Sequence, residues 1–436
     1  MERIIFGWMR TSIVKHIENQ AAFKQDLLGW AQQFREVVFL DSNDFPQTYR
    51  SFDCILAVDA LTSIKTDYVN AFEDLKQYRQ STADWIFGYL SYDLKNDTEA
   101  LSSNNFDGLD FPDLFFFQPK KLFLLKGNAL EILYLRLCDD EIDEDLEEII
   151  NYRLPNVNSS QPIEIRQRIP KHKYLEKTAE MLAHIQRGDI YEANFCMEFF
   201  AENTTIDPLG TYLKLNEIST PPFAVFFKNH RQYAISASPE RYLRREGDKV
   251  ISQPIKGTAR RSDDALEDQE IKDALQINEK ERSENIMIVD LVRNDLSRTA
   301  GKGSVSVEEL CGVYTFRQVH HLISTIASHS EKPAEEILQT TFPMGSMTGA
   351  PKISAMQIIE KLEETKRGLY SGAIGYFTPD GDFDFNVVIR SILHNQETGY
   401  LSFSVGSAIT ALSDPEKEYD ECLLKARAMR TVLAHQ

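Results

Sequence analysis

The chain has 436 residues, 42% apolar and 26% charged, with 20 glycines and 16 prolines, a mixture that excludes disordered and fibrous classes and fits about three domains or one large layered fold. Its 48 basic and 67 acidic side chains leave a net charge of −19, which argues against a nucleic-acid partner, since phosphate binding is driven by basic patches and counterion release. Small anions must then be met by local devices: single Arg or Lys side chains, helix N-termini or a metal ion. The five cysteines, Cys54, Cys138, Cys196, Cys311 and Cys422, are far apart, odd in number and without a CxxC, so buried reduced thiols are expected rather than a disulfide framework or a zinc site. The opening MERIIFGWMR lacks a long apolar stretch and no run of about 18 apolar residues occurs, so a cytoplasmic protein without a membrane partner is expected.

In chain order, the apolar runs SFDCILAVDA, WIFGYLSYDL, FFFQPKKLFLL and ALEILYLRL, broken by turns such as Lys126-Gly127-Asn128, predict antiparallel strands. The acidic run 139–148 (DDEIDEDLEE) reads as a solvated face and a seam between two halves. Beyond it, Leu175, Ala179, Leu182 and Ile185 fall at helical spacing, with Gly188-Asp189 closing that helix. PFAVFFK, RQYAISA, RYLRRE and KVISQPI predict short strands, followed by helical stretches over 264–295 and 351–364. GAIGYFT, DFNVVIRSIL and YLSFSVG are further strands, joined by Pro379-Asp380-Gly381 and a turn over 395–399. Ser413-Asp414-Pro415-Glu416 has capping-box spacing and opens a final helix. Strand meanders mixed with long helices predict an α+β layered fold rather than βαβ repeats. With no GxGxxG after a strand, no Walker A loop, no HExxH and no GxSxG, nucleotide-cofactor and serine-hydrolase classes lose their support.

Four constellations could carry chemistry. Glu281/Glu284 and Glu418/Glu421 are Glu-x-x-Glu pairs, each placing two carboxylates on one helix face. Such pairs are commonly solvated, but the IMIVDLV that follows Glu284 is apolar on most sides; carboxylates beside a buried stretch need a cation, and two facing pairs would suit Mg²⁺. In PMGSMTGAPKISAMQ, Gly345 and Gly349 precede Pro351 at a helix start, where backbone N–H groups could hold a carboxylate or phosphate; a Gly-rich connection is the plain alternative. Lys256 leaves a strand into a Gly-Thr turn, and would serve as a nucleophile only if desolvated. Of His320 and His321 in VHHLIS, one is expected as a satisfied core imidazole and the other as a proton shuttle.

Together these segments resemble the chorismate-utilising enzymes, through GDIYEANF, SPERY, QPIKGTARR, ERSENIMIVDLVRNDLSR, VHHLIST, FPMGSMTGAPKISAM, YSGAIGYF, NVVIRSI and SDPEKEYDECLLKARA, in the family's order from about Lys173 onward. The N-terminal third is similar more loosely. The resemblance implies a four-layer α/β/β/α sandwich of two packed antiparallel sheets, with residues 1–150 contributing strands and 151–436 forming the chorismate-binding catalytic region. PIKGT, where anthranilate synthases resemble PIAGT, is similar to the aminodeoxychorismate branch, which makes 4-amino-4-deoxychorismate for p-aminobenzoate and folate synthesis. In that branch Lys256 would be the nucleophile, and Glu240 in SPERY the acid that protonates the leaving hydroxyl. The resemblance further implies Glu284 and Glu421 as Mg²⁺ ligands supported by Glu281 and Glu418, His321 beside the substrate ring, and Thr348, Gly349, Tyr370, Arg390, Gly406, Ala408 and Lys425 around chorismate. Ammonia would come from a separate glutamine amidotransferase subunit, giving a heterodimer.

Three departures bear on this. Ala408 stands where the family has the last glycine of an AGxG turn, here Val405-Gly406-Ser407-Ala408; backbone donation survives there if φ is negative. Glu192 stands where relatives often have Gln. Asn285 stands where anthranilate synthases tend to have His, and no LLES-like segment is present. Anthranilate synthase component I, an isochorismate-type enzyme using water, and a catalytically silent chorismate-binding subunit are the alternatives.

Overall fold

The computed structural model describes residues 9–153 and 163–434; the first eight residues of the opening MERIIFGWMR lie outside them. Among the described residues, twenty strands join into one hydrogen-bonded network. Its axis is a ribbon of two 13-residue strands, Cys54–Thr66 and Leu114–Lys126, paired antiparallel along their length. The first four residues of Leu114–Lys126 also pair with Ile86–Leu90, whereas its last six pair with Ala129–Leu135, so two sheets diverge from one ribbon. From the ribbon one sheet runs through Glu36–Asp41, Phe223–Asn229, Gln232–Ser238, Ser391–Asn395, Tyr400–Thr410 and Glu192–Ala201. The other runs from Ile86–Leu90 through Ala373–Phe377, Phe383–Asn386, Arg241–Glu246, Lys249–Gln253 and Val319–His329, the last flanked by Ile255–Arg260 and Ser306–Thr315.

Side-chain alternation turns these sheets into layers. Along Glu36–Asp41, Val37 and Phe39 pack with Trp30, Tyr212 and Met429 under helices, while Val38 points the other way, into a core shared with Phe87, Phe116 and Phe385 of the second sheet. Ile288, Val292 and Leu296 of helix Glu279–Ser297 join that second core. The result is the expected α+β arrangement of helices outside large antiparallel sheets. All five cysteines are buried and unpaired.

Several elements differ from the sequence reading in instructive ways. Helix Lys171–Arg187 forms and ends at Gly188, φ +82°, but it buries Tyr174, Thr178, Met181 and Ile185, a stripe rotated from the one predicted because Tyr174 packs in the core against the rings of Phe195 and Tyr419. The single helix expected over 264–295 is two, Ala265–Ile277 and Glu279–Ser297, because Asn278 adopts an extended ψ and its side chain caps the second, accepting from the Glu281 N–H. The final helix, Pro415–Ala434, is capped by Asp414, which accepts from Glu416 and Lys417, not by Ser413. The acidic run is not wholly solvated: Asp145 is buried, pairing with Lys121 at 2.5 Å and accepting from the Tyr134 hydroxyl at 2.7 Å.

Where the sheets diverge, backbones approach closely. A Cβ on Gly88 would lie 1.9 Å from the Phe115 carbonyl oxygen, an atom fixed in the strand ladder. Gly88→Ala is expected to destabilise the protein by about 2–3 kcal/mol, read as a lower unfolding midpoint in urea; a wild-type midpoint would show that the ribbon yields.

Candidate active site

A cavity of about 610 Å³ opens between helices Glu279–Ser297 and Pro415–Ala434 and the strands that face them. It gathers Glu240, Lys256, Glu281, Glu284, His321, Tyr370, Arg390, Gly406, Ala408, Glu418, Glu421 and Lys425 from segments up to 185 residues apart, since Glu240 and Lys425 share its wall.

Glu240 enters on the turn between two strands and is 4% exposed. Its carboxyl accepts from the Ile255 N–H at 3.5 Å and from the Ser346 hydroxyl, and burial pushes its pKa up to about 7. Lys256 sits at a register shift in the pairing of Ile255–Arg260 with Val319–His329, next to Gly257 at φ +96°; this bulge turns the lysine toward the cavity. Its backbone carbonyl accepts from Asn285 Nδ2 at 3.1 Å, and Asn285 Oδ1 in turn accepts from Ser324 at 2.5 Å. The Asn285 substitution noted in the sequence therefore anchors the strand that presents Lys256.

His320 and His321 have different surroundings. His320 is locked between Thr315 Oγ1 and Asp268, each at 3.0 Å, and His321 faces the cavity. Burial, followed by Arg390 and Lys425, drives the His321 pKa down to about 3, so the ring is neutral. Nδ1 lies 3.0 Å from Thr258 Oγ1 and 3.3 Å from the Gly257 carbonyl; a proton on Nδ1 serves the carbonyl and leaves Nε2 as an acceptor.

Arg390 is held at φ +53°, a left-handed conformation unusual for a side-chain-bearing residue, and the residue is half-buried at the cavity wall. Lys425 donates to the Gly406 carbonyl at 2.8 Å and pairs with Glu421 at 2.6 Å. Burial alone would raise the Glu421 carboxyl, but Lys425, then Lys256 and Lys280, hold it below its usual range. Glu284 has no cation so close: burial lifts its pKa to about 7 and its Oε1 has no hydrogen-bond partner. Burial also raises Glu281, and Glu418 accepts from the Ser407 hydroxyl. The four glutamates thus line one wall, with Lys280 Nζ lying 3.7 Å from Glu284 and 3.9 Å from Glu418 in the space between the two pairs. Among the described residues no cluster of three ligating side chains is already drawn together at metal distance. The orphaned, buried Glu284 oxygen and the surplus of carboxylates are nonetheless the donor set a hard divalent cation takes.

Two expected residues stand behind the wall rather than on it. Thr348 is buried, with its hydroxyl donating to the Met344 and Gly345 carbonyls, and its own carbonyl accepts from the Asn194 N–H at 2.7 Å. Gly349 is a close-approach position: a Cβ there would meet the Glu192 carbonyl at 2.2 Å. Ala408 lies in regular strand opposite Asn194 and without positive φ, so alanine fits where the family motif has glycine. Glu192 is buried, with Oε2 unpartnered. The sequence reading missed Lys280, Asn194, Ser346 and Ser407, all on the cavity; only Lys280 carried a signal, four residues before Glu284 on the same helix face.

Residues 35–431 match the family described as chorismate binding enzyme. The chain belongs to that family. Chorismate is its substrate, and the protein is a chorismate-utilising enzyme. The chain is 34% identical over 386 residues to the chloroplastic aminodeoxychorismate synthase of Arabidopsis thaliana, covering 81% of this chain but 41% of that protein. It is 33% identical over 354 residues to anthranilate synthase component 1 of Thermus thermophilus, covering 79% of this chain and 76% of that one. The structure of anthranilate synthase component I from Streptococcus pneumoniae superposes with a TM-score of 0.76 at 26% identity, covering 89% of this chain and 94% of the other. This chorismate binding enzyme therefore spans about two fifths of its Arabidopsis relative. No helix among its described residues is long and apolar enough to cross a membrane.

The His321 environment is directly measurable. Its imidazole is expected to stay neutral, with the proton on Nδ1, throughout pH 5–8 in ¹⁵N NMR; titration near 6.5 would contradict the buried geometry. Because its folded pKa lies below the unfolded value, this histidine's contribution to stability is complete above pH 6.5 and is lost as pH falls toward 3.

Proposed function

We infer that the protein is an aminodeoxychorismate synthase component I, converting chorismate and ammonia to 4-amino-4-deoxychorismate. The observation that carries this reading is the placement of Lys256 inside the cavity, where its charge acts on Glu240, Glu281, Glu284 and Glu421. A reaction in which ammonia attacks the ring directly has no use for an amine at that point. Covalent catalysis does: the Lys256 nitrogen bonds to C2 while the C4–O bond breaks, and the departing hydroxyl takes a proton from Glu240 and leaves as water. The adduct nitrogen stays protonated; when ammonia bonds to C4 the electron pair of the C2–N bond returns to it, releasing Lys256 as the neutral amine, and the ammonium formed at C4 gives its extra proton to the Glu240 carboxylate left by the first step.

Glu240 suits proton donation because burial keeps it protonated up to about pH 7. Arg390 and Lys425 supply fixed positive charge for the carboxylates of chorismate, and neutral His321 offers an acceptor beside the ring. Mg²⁺ would be held by Glu284 and Glu421, with Glu281 and Glu418 beside them, and when bound it would neutralise a substrate carboxylate and draw charge toward the leaving side. Lys280 must move aside for it. Ammonia would come from glutamine through a separate amidotransferase subunit, and the product would feed p-aminobenzoate and folate synthesis.

Mass spectrometry of the products from chorismate, Mg²⁺ and an ammonium salt tests this reading. The expected product is 4-amino-4-deoxychorismate, abolished by Lys256→Ala; anthranilate and pyruvate, insensitive to that substitution, would place the protein in the tryptophan branch. Glu240→Gln is expected to slow turnover by about 10²–10⁴-fold. In the wild type, kcat/KM should fall as pH rises through about 7, where Glu240 loses its proton.

A further inference from the structure

The cavity wall has a seam. Strand Glu192–Ala201 carries Asn194, and the turn that includes Gly345–Met347 carries Ser346 and Met347; all three side chains face the cavity, and the two segments meet where the Asn194 N–H donates to the Thr348 carbonyl at 2.7 Å. Ser346 is the residue whose hydroxyl bonds Glu240. The turn has few regular partners, being a single 3₁₀ turn followed by a two-residue strand, whereas Glu192–Ala201 is paired along its whole length with Tyr400–Thr410.

Arg367 lies behind this seam and is buried, in KRGLYSG three residues before Tyr370. Its Nη1 donates to the Met347 carbonyl at 2.6 Å and its Nη2 to the Asn194 carbonyl at 2.8 Å, one from each side of the seam. Its Nε and Nη2 bond both oxygens of Glu363 at 2.9 and 2.7 Å, and Glu363 Oε1 also accepts from the Cys196 N–H at 2.9 Å. The guanidinium lies 4.5 Å over the Tyr92 ring. The planar fork thus donates to two wall carbonyls, one counter-ion and, at 3.4 Å, the Ser371 hydroxyl, an arrangement that a lysine's point charge cannot reproduce.

We propose that Arg367 is a positioning residue of the chorismate site, fixing the Asn194–Met347 seam so that Ser346 is held against Glu240. This rests on the functional reading only for the identity of the reaction; the seam itself is geometric. Loss of the fork frees two carbonyls, lets the turn shift, and withdraws the Ser346 hydroxyl from Glu240. That hydroxyl favours the ionised carboxyl, as do the Ile255 N–H, Lys256 and Lys425 that face it, so its withdrawal raises the pH at which Glu240 releases its proton.

The test compares the wild type, Arg367→Lys and the double variant Arg367→Met with Glu363→Gln, which leaves no unpaired buried carboxylate. The expected result with chorismate, Mg²⁺ and an ammonium salt is a fall in kcat of about 10²-fold in the double variant, larger than the change in KM, with partial recovery in Arg367→Lys. The alkaline limb of kcat/KM should move to higher pH. Hydrogen exchange of the Asn194, Cys196 and Thr348 amides should quicken in the same variant. A lowered melting temperature with wild-type kcat, limb and exchange would overturn the proposal, leaving Arg367 a brace for the fold alone. Should the wild type fail to consume chorismate at all, the functional reading falls and hydrogen exchange decides: unchanged amides refute the seam, faster ones sustain it.

Discussion

The site depends on confining charge of both signs within one cavity. Five glutamates, Glu240, Glu281, Glu284, Glu418 and Glu421, share the cavity with Lys256, Lys280, Lys425, Arg260, Arg390 and Arg427. Burial disfavours each ion alone, so what distinguishes the carboxyls is the distance to the nearest cation. Glu421, 2.6 Å from Lys425, is held ionised; Glu240 and Glu284, without so close a partner, rise to about 7. One residue type thereby supplies both a candidate proton donor and candidate metal ligands. In a chain of net charge −19, this pocket in which cations slightly outnumber acids is the local device that a dianionic substrate requires.

The scaffold makes such confinement possible by building the walls from backbones that approach unusually closely. Gly349 against Glu192, and Gly406 with Asn194 and Cys196 beside it, allow the strands to meet where side chains would separate them. The bulge at Lys256 and the left-handed backbone of Arg390 are local irregularities in otherwise regular sheets, and both aim a cation into the cavity. Buried ion pairs stabilise the turns behind the wall: Lys352 bonds Asp295 at 2.6 Å and the Thr341 and Pro343 carbonyls, and Arg367 holds the neighbouring seam. The helix that carries Glu281 and Glu284 is thus tied through Asp295 to the turn that carries Ser346.

Much of this was legible beforehand, and unevenly so. The four early strands, the helix closed by Gly188 and the final helix followed from apolar period and turn chemistry. The strand Glu192–Ala201 did not stand out, because all ten of its residues are buried and its sequence shows no alternation. The rotated face of Lys171–Arg187 was decided by an aromatic cluster with Phe195 and Tyr419, residues remote in sequence. Asp145 was hidden in an acidic run because its partners, Lys121 and Tyr134, lie on other elements.

The sequence by itself determined the layered α+β class, the two carboxylate pairs and the family motifs, since periodicity, i,i+3 spacing and residue order are properties of the chain alone. Only the tertiary structure decided that Lys280 lies between the two pairs, that Thr348 and Gly349 stand behind the wall, that His321 rather than His320 faces the cavity, and that Arg367 closes its seam. The reason is physical: burial and through-space distance set charge state and contact, and neither is a function of separation along the chain.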